Sequence, residues 1–245
     1  TLLFFACKHE LERPTWDVDM VLPIAHTQEF GLTYKLVEKE FKIDKKIEIL
    51  LSSDSAIGVS KSMGLAQISL SEAFNELKPD IVVVLGDRFE IFSVAVSAMI
   101  LKIPIAHLSG GEITEGAIDD SIRHAITKMS HLHFVATKEY RDRVIQLGEN
   151  PDKVFNFGEL GLDNIDDLQL LSKEEFEKSI KFELDKKSLL ISFHPATLDS
   201  ISVIKQDFEA ILKQLSSLTQ TTLIFTKSNA RTIKHISTTS CNINC

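Results

Sequence analysis

Cysteine is scarce: the 245 residues hold only three, Cys7, Cys241 and Cys245, all close to the ends. They form neither a disulfide framework nor a zinc site, because the Cys-x3-Cys at the tail has no second ligand pair nearby. A cytoplasmic location is the resulting expectation. Basic charge is also short, with 27 Lys and Arg against 35 Asp and Glu and a formal net charge of -8. That balance argues against a nucleic-acid partner but leaves room for a local cationic pocket that holds a nucleotide. Long apolar runs are missing as well. None approaches the roughly eighteen residues a membrane span needs, and residues 1–6 are too short, and lack the basic leader, for a signal peptide. No membrane association is expected. Internal repeats and low-complexity tracts are absent.

What is present is ordinary globular composition, 44% hydrophobic and 25% charged, and an alternation of apolar runs with helical patterns. Residues 18–24 and 47–51 read as strands, and 57–77 as a helix that stops before Pro79. Residues 81–85, Ile-Val-Val-Val-Leu, read as a strand buried on both faces. Helix 89–101, strand 104–108, helix 120–129, strand 132–136, helix 139–147 and strand 154–157 follow. Such βαβ succession predicts an α/β fold with a parallel, doubly wound, Rossmann-like sheet. The composition then turns acidic and basic, predicting an exposed linking helix over 166–187. A second series, strand 188–193, helix 203–218 and strand 221–225, breaks off before it can close a core of its own. The expected domains are 1–165, the linker 166–187, and an incomplete second α/β domain over 188–245.

Three polar clusters fall where a parallel sheet takes its ligand, beyond the carboxyl ends of its strands. Gly86-Asp87-Arg88 follows one strand: Asp87 can act as acid or base and Arg88 can hold a phosphate oxygen. A helix cap with a surface Arg is the bland reading. His107-Leu-Ser109-Gly110-Gly111-Glu112 follows the next strand. Its Gly pair lets backbone approach a ligand, and Glu112 can position a hydroxyl or take a proton. Asp119-Asp120-Ser-Ile-Arg123-His124 opens a helix. Asp120 is read as capping it and Asp119 as the better catalytic candidate. His194-Pro195 after strand 188–193 places a histidine toward the interdomain cleft. Lys227 reads as solvated. His131 and His133 lack a third metal ligand and read as polar packing or oligomer contacts, so no metal site is expected.

Taken in order, Val84-Leu-Gly-Asp-Arg-Phe-Glu90, Gly110-Gly-Glu-Ile-Thr114, Asp119 through Lys128 and His194-Pro-x-Thr197 resemble the hydrolysing UDP-N-acetylglucosamine 2-epimerases of sialic- and nonulosonic-acid biosynthesis. The resemblance runs from about residue 17 to 229. It implies a two-domain glycosyltransferase-B-like fold and elimination of UDP across C1–C2 of a UDP-sugar. Water then adds to leave the free 2-epimer, with no cofactor. It further implies Asp87 and Asp119 as acid and base, and Glu112 ordering the sugar site. Arg88 and His194 meet the diphosphate, His194 being counted with the catalytic set. Ser109, Arg123, His124 and Asn229 join Arg88 as substrate-binding. A homodimer through the first domain is implied, with helix 89–101 as an apolar candidate surface.

Departures from the family accompany the match. Ser109 stands where a Glu or His is expected, and serine is a poor acid or base at its ordinary pKa. The Gly-Thr/Ser-Arg-Ala loop after the first strand and the later Gly-Asn-Ser-Ser loop have no counterpart. Arg231 replaces an acidic residue. The expectation is a gene product truncated or frameshifted at its ends. An inactive remnant that only dimerises or binds nucleotide weakly is one alternative, and a related glycosyltransferase is another.

Overall fold

The structure is a computed structural model that describes residues 4–9, 16–24, 38–39, 42–48, 55–163, 165, 168–195 and 198–226. The chain divides into two compact units, Thr1–Asp163 and Asn164–Cys245.

The first unit is built on a seven-stranded sheet: β1 (Phe4–His9), β2 (Trp16–Ile24), β3 (Lys45–Glu48), β4 (Ile81–Leu85), β5 (Ile105–Leu108), β6 (Leu132–Val135) and β7 (Val154–Asn156). Their spatial order is β3-β2-β1-β4-β5-β6-β7. The parallel expectation holds for β4 through β7 and for the β2–β3 pair. It fails at β1, which was not foreseen as a strand and runs antiparallel to both β2 and β4. Only residues 10–15 separate β1 from β2, and a parallel crossover needs about a dozen residues or more.

Four helices link the parallel strands: α1 (Ala56–Leu77), α2 (Phe89–Ile100), α3 (Ile118–Met129) and α4 (Lys138–Gln146). Ser55 caps α1 by accepting from Gly58 N–H at 3.1 Å, and Lys78 in the left-handed region ends it before Pro79. Thr137 caps α4 in the same way. Register pairs Val84 with His107, His107 with His133, and His133 with Val154, so all four point to one face. On that face Val84 meets Phe74, Ile91 and Ile126 of α1, α2 and α3, and Val154 meets Val144 of α4. All four helices therefore lie on one side, because right-handed crossovers that advance in one direction along a sheet fall on the same face.

Among the described residues the helices cover one face of β4, and its burial follows that pattern rather than the expected burial on both faces. Val82 and Val84 are fully buried, Ile81 and Val83 are half-buried, and Leu85 is exposed. Helix α2 also differs from the apolar outer surface expected of it. It packs between α1 and α3 and buries Ile91, Val94, Ala95 and Ala98, leaving Met99 and Ile100 exposed at its end, with Leu101 just beyond.

The second unit contains α6 (Lys173–Ile180), β8 (Ser188–Ile191), α7 (Ile201–Leu215) and β9 (Thr222–Phe225), after a short α5 (Leu160–Asp163) that closes the first. The expected linking helix is confined to α6. Its Ser172–Glu175 capping box starts it, Lys181 at φ +55 ends it, and it buries no residue. Strands β8 and β9 pair in parallel, with Ile204 and Phe208 of α7 packed against Phe193 and Phe225. A shallow groove lined by Lys187, Ser188, Ser217 and Thr221 lies at the amino ends of these strands. Ligands of such sheets bind at the opposite end.

Candidate active site

The site is assembled where β4 and β5 end and α3 begins. Gly86 leaves β4 at φ +84, and its N–H donates to the Leu108 carbonyl at 3.2 Å. The exits of the two strands are thereby locked together. Asp87 and Arg88 follow at once, half-buried and exposed respectively. After β5 the chain turns through Ser109, a non-glycine residue at φ +63 whose N–H donates to Phe134 at 2.9 Å. Such backbone is uncommon for a residue with a Cβ and clusters at functional sites. Gly111, at φ +81, has no room for a side chain: a Cβ would lie 2.4 Å from the Tyr140 carbonyl. The Arg143 guanidinium, stacked over the Tyr140 ring, donates to the Gly111 carbonyl and pins the loop to α4.

Arg123 is the hub. It is buried, and its guanidinium pairs with the Asp87 carboxylate. It also donates to the Glu112 carbonyl at 3.1 Å, to the Thr114 hydroxyl at 3.0 Å, and to Asp120 at 3.5 Å. A buried cation is stable only when paired and hydrogen-bonded, and five donors suit this many partners. Asp120 does not cap its helix. Ala117 occupies that position without a side-chain cap, and Asp120 accepts from the Thr114 N–H at 2.8 Å, tying the glycine loop to α3. His124 places Nε2 at 3.7 Å from Asp120, and its buried Nδ1 has no protein partner among the described residues.

Two carboxyls in this cluster are shifted. Burial pushes Asp119 above the usual range and the Asp87 charge adds to this, against the pull of Arg88 and Arg123. Burial likewise raises Glu112, reinforced by Glu159 and Asp87 and opposed by Arg123. Carboxyls raised by burial beside a cation and a third carboxylate are candidates for proton transfer. Arg88 reaches Glu90 with Nε at 3.3 Å but stays largely in solvent, where a phosphate could take it.

Of the residues singled out from sequence, Asp87, Arg88, Ser109, Glu112, Asp119, Arg123 and His124 thus fall at adjoining strand and helix ends of the first unit. His194 is exposed after β8 in the second unit. Asn229, with Lys227 and Arg231, lies outside the described residues. His133 is buried with Nε2 at 3.3 Å from Glu149, whereas His131 is exposed and accepts from the Ile105 N–H at 3.3 Å. Among the described residues no three His, Cys, Asp or Glu side chains gather as metal ligands, and no helix is long and apolar enough to cross a membrane.

Sequence reasoning missed His107, Thr114, Thr127 and Arg143 as site-builders. Thr127 stands one helical turn beyond Arg123, a spacing that could have flagged it. Arg143 gave no signal, since its partner is a backbone carbonyl.

The family model described as UDP-N-acetylglucosamine 2-epimerase matches residues 9–243. The chain belongs to that family. It is 49% identical over 227 residues to the GDP/UDP-N,N'-diacetylbacillosamine 2-epimerase (hydrolyzing) of Campylobacter jejuni, covering 91% of this chain and 58% of that protein. It is 40% identical to the polysialic acid biosynthesis protein P7 of Escherichia coli, over 90% of this chain and 57% of that one. A third relative, the UDP-N,N'-diacetylbacillosamine 2-epimerase (hydrolyzing) of Legionella pneumophila, is 34% identical over 80% of this chain and 52% of its own. The chain therefore spans little more than half the length of these curated relatives. Among solved structures, the Methanocaldococcus jannaschii UDP-GlcNAc 2-epimerase in complex with UDP-GlcNAc and UDP superposes with a TM-score of 0.70 at 20% identity. The match covers 88% of this chain and 59% of that one, and it shows a shared fold of glycosyltransferase-B type.

Proposed function

We propose that this member of the family hydrolyses a UDP-linked 2-acetamido sugar with inversion at C2. A carboxylate of the first unit takes the C2 proton, the C1–C2 double bond forms, and the C1–O bond breaks with its electron pair leaving on UDP. Water then adds its oxygen to C1, and a proton is returned to C2 from the opposite face. The sum is UDP-sugar plus water giving UDP plus the free 2-epimer. Asp119 is the proton acceptor, because burial and the Asp87 charge make its carboxylate a stronger base than an exposed one. Glu112 is the companion acid, and Arg88 meets the diphosphate. His194 is the second unit's candidate for the diphosphate. Ser109 orders the loop through its backbone and takes no proton. A homodimer joined through the first unit would cover the exposed Met99, Ile100 and Leu101.

The observation that carries this reading is the buried Arg123, which gathers Asp87, Asp120 and the Glu112 loop beside Asp119. A glycosyl acceptor has no need of paired, raised carboxyls flanking C2. Relatives named for diacetylbacillosamine are 49% and 34% identical over 91% and 80% of this chain, whereas one named for UDP-N-acetylglucosamine is 29% identical over 76% and another 35% over only 31%. The 2,4-diacetamido sugar is accordingly the favoured substrate. Incubation with each UDP-sugar, followed by proton NMR of the released sugar, tests this. Free 2-epimer and UDP are expected, faster from the diacetamido substrate. A released sugar that keeps its C2 configuration would sink the proposal.

A further inference from the structure

His107 has no part in the chemistry above, yet it is completely buried at the centre of the site's framework. Its Nε2 lies 2.9 Å from the Gly86 carbonyl. A carbonyl only accepts, so Nε2 carries the proton. Burial, the largest influence, lowers its pKa to about 4, with His133, Arg123 and His124 pushing the same way against the Gly86 hydrogen bond. The ring is therefore neutral, and its Nδ1 is a bare acceptor 3.3 Å from the Thr127 hydroxyl. That hydroxyl donates to the Arg123 carbonyl at 3.1 Å as well, so its single proton is shared between the two acceptors.

Followed around, these contacts close on themselves. The Gly86 carbonyl belongs to the peptide that carries the Asp87 N–H, so His107 fixes the plane from which Asp87 projects. Thr127 joins His107 to α3 at the turn that supplies Arg123, and Arg123 grips the Asp87 carboxylate. Gly110 seals the ring: a Cβ there would lie 3.2 Å from both His107 Nδ1 and the Thr127 hydroxyl. Gly86, at φ +84, has no side chain of its own to hold the turn.

We infer that His107 is a positioning residue that, braced by Thr127, fixes the Gly86–Asp87 peptide and so aims the Asp87–Arg123 pair at the reacting sugar. The inference rests on the proposed reading of the site, and it goes beyond that reading by giving the buried histidine a purpose. A displacement of about 1 Å in such a group can cost on the order of 10²-fold in rate.

The test compares His107→Phe, which keeps volume without a donor, with His107→Gln, whose amide nitrogen can reach the Nε2 position. The carboxyl titration of Asp119 is followed by NMR in protein labelled with carboxyl-¹³C aspartate. If Asp87 swings away and frees Arg123, Asp119 loses an anionic neighbour and gains a cationic one. Its midpoint should then fall in the Phe variant and return toward the wild-type value in the Gln variant. In turnover, kcat should drop about 10²-fold for Phe with KM within a few-fold, and Gln should restore most of it. A folded Phe variant with an unmoved Asp119 midpoint would overturn the inference. If that variant does not fold, Thr127→Val decides: a smaller fall in the same midpoint is expected, and no change refutes the brace. The titration needs no substrate. A wild-type chain that titrates as expected but releases no UDP would therefore refute the proposed function and leave the positioning role standing.

Discussion

After β4 and β5 the chain turns into a buried polar network, whereas after β8 it turns into solvent. In the first unit, Asp87, Glu112, Thr114 and Asp120 all converge on one buried arginine, and two carboxyls are raised by burial. In the second, His194 is exposed, and a polar contact beyond the strand ends, between the Ser192 and Thr226 hydroxyls at 2.7 Å, is exposed too. The same strand–helix–strand grammar thus yields a buried network of charged side chains in one unit and an exposed histidine in the other. Burial makes most of the difference, because it is the largest influence raising these carboxyls and makes an unpaired partner costly.

The sharpest way to break this contrast is Asp119→Asn, which should lower kcat by roughly 10²- to 10⁴-fold. Stability should move the other way. The folded pKa of Asp119 is raised, so its ionised form costs stability once pH exceeds the ordinary carboxylate value, and the amide removes that cost. A thermal melt at pH 7 should show a midpoint equal to or above wild type.

Acid should act on the first unit next. His107 is depressed in the folded state to about 4 from 6.5, so its contribution is complete above pH 6.5 and is lost as pH falls toward 4. The full loss is about 3 kcal/mol. His133, also lowered by burial, adds in the same direction. Urea melts between pH 7 and 4 measure this, and His107→Gln should flatten the dependence.

A smaller effect is expected at the glycine loop. Gly111→Ala should cost about 2–3 kcal/mol, combining left-handed strain with a Cβ that strikes the Tyr140 carbonyl. Gly161→Ala, where nothing lies within 4 Å, should cost nearly nothing. Equal denaturation midpoints for the two would show that the loop is not pinned. The smallest stability effect belongs to the second unit: His194→Ala should leave the melt within about 0.5 kcal/mol of wild type while slowing UDP release.

Much of this was legible in the residues. The β-branched run at 81–85 and the alternation after it announced parallel strands. Gly86-Asp87-Arg88 and the Gly110-Gly111 pair marked the carboxyl ends of β4 and β5, the end at which parallel sheets bind ligands. What escaped was set by tertiary context. Strand β1 is antiparallel because of a short connection, which periodicity does not encode. Asp120 looks like a cap but spends its oxygen on a neighbouring loop. Arg123 looks like a ligand contact by composition, and only the fold reveals that it is buried and organises the carboxylates. His107 is a strand residue like any other until the Gly86 carbonyl is placed beside it.

The central claim is that Asp119 moves the C2 proton within a cluster held by Arg123. It is tested most directly by incubating the chain with the UDP-linked diacetamido sugar in heavy water and measuring deuterium at C2 of the product. Wild type should release UDP and give the 2-epimer carrying one deuterium at C2, and Asp119→Asn should suppress both together. Product with hydrogen retained at C2, or unchanged deuterium incorporation by Asp119→Asn, would contradict the account.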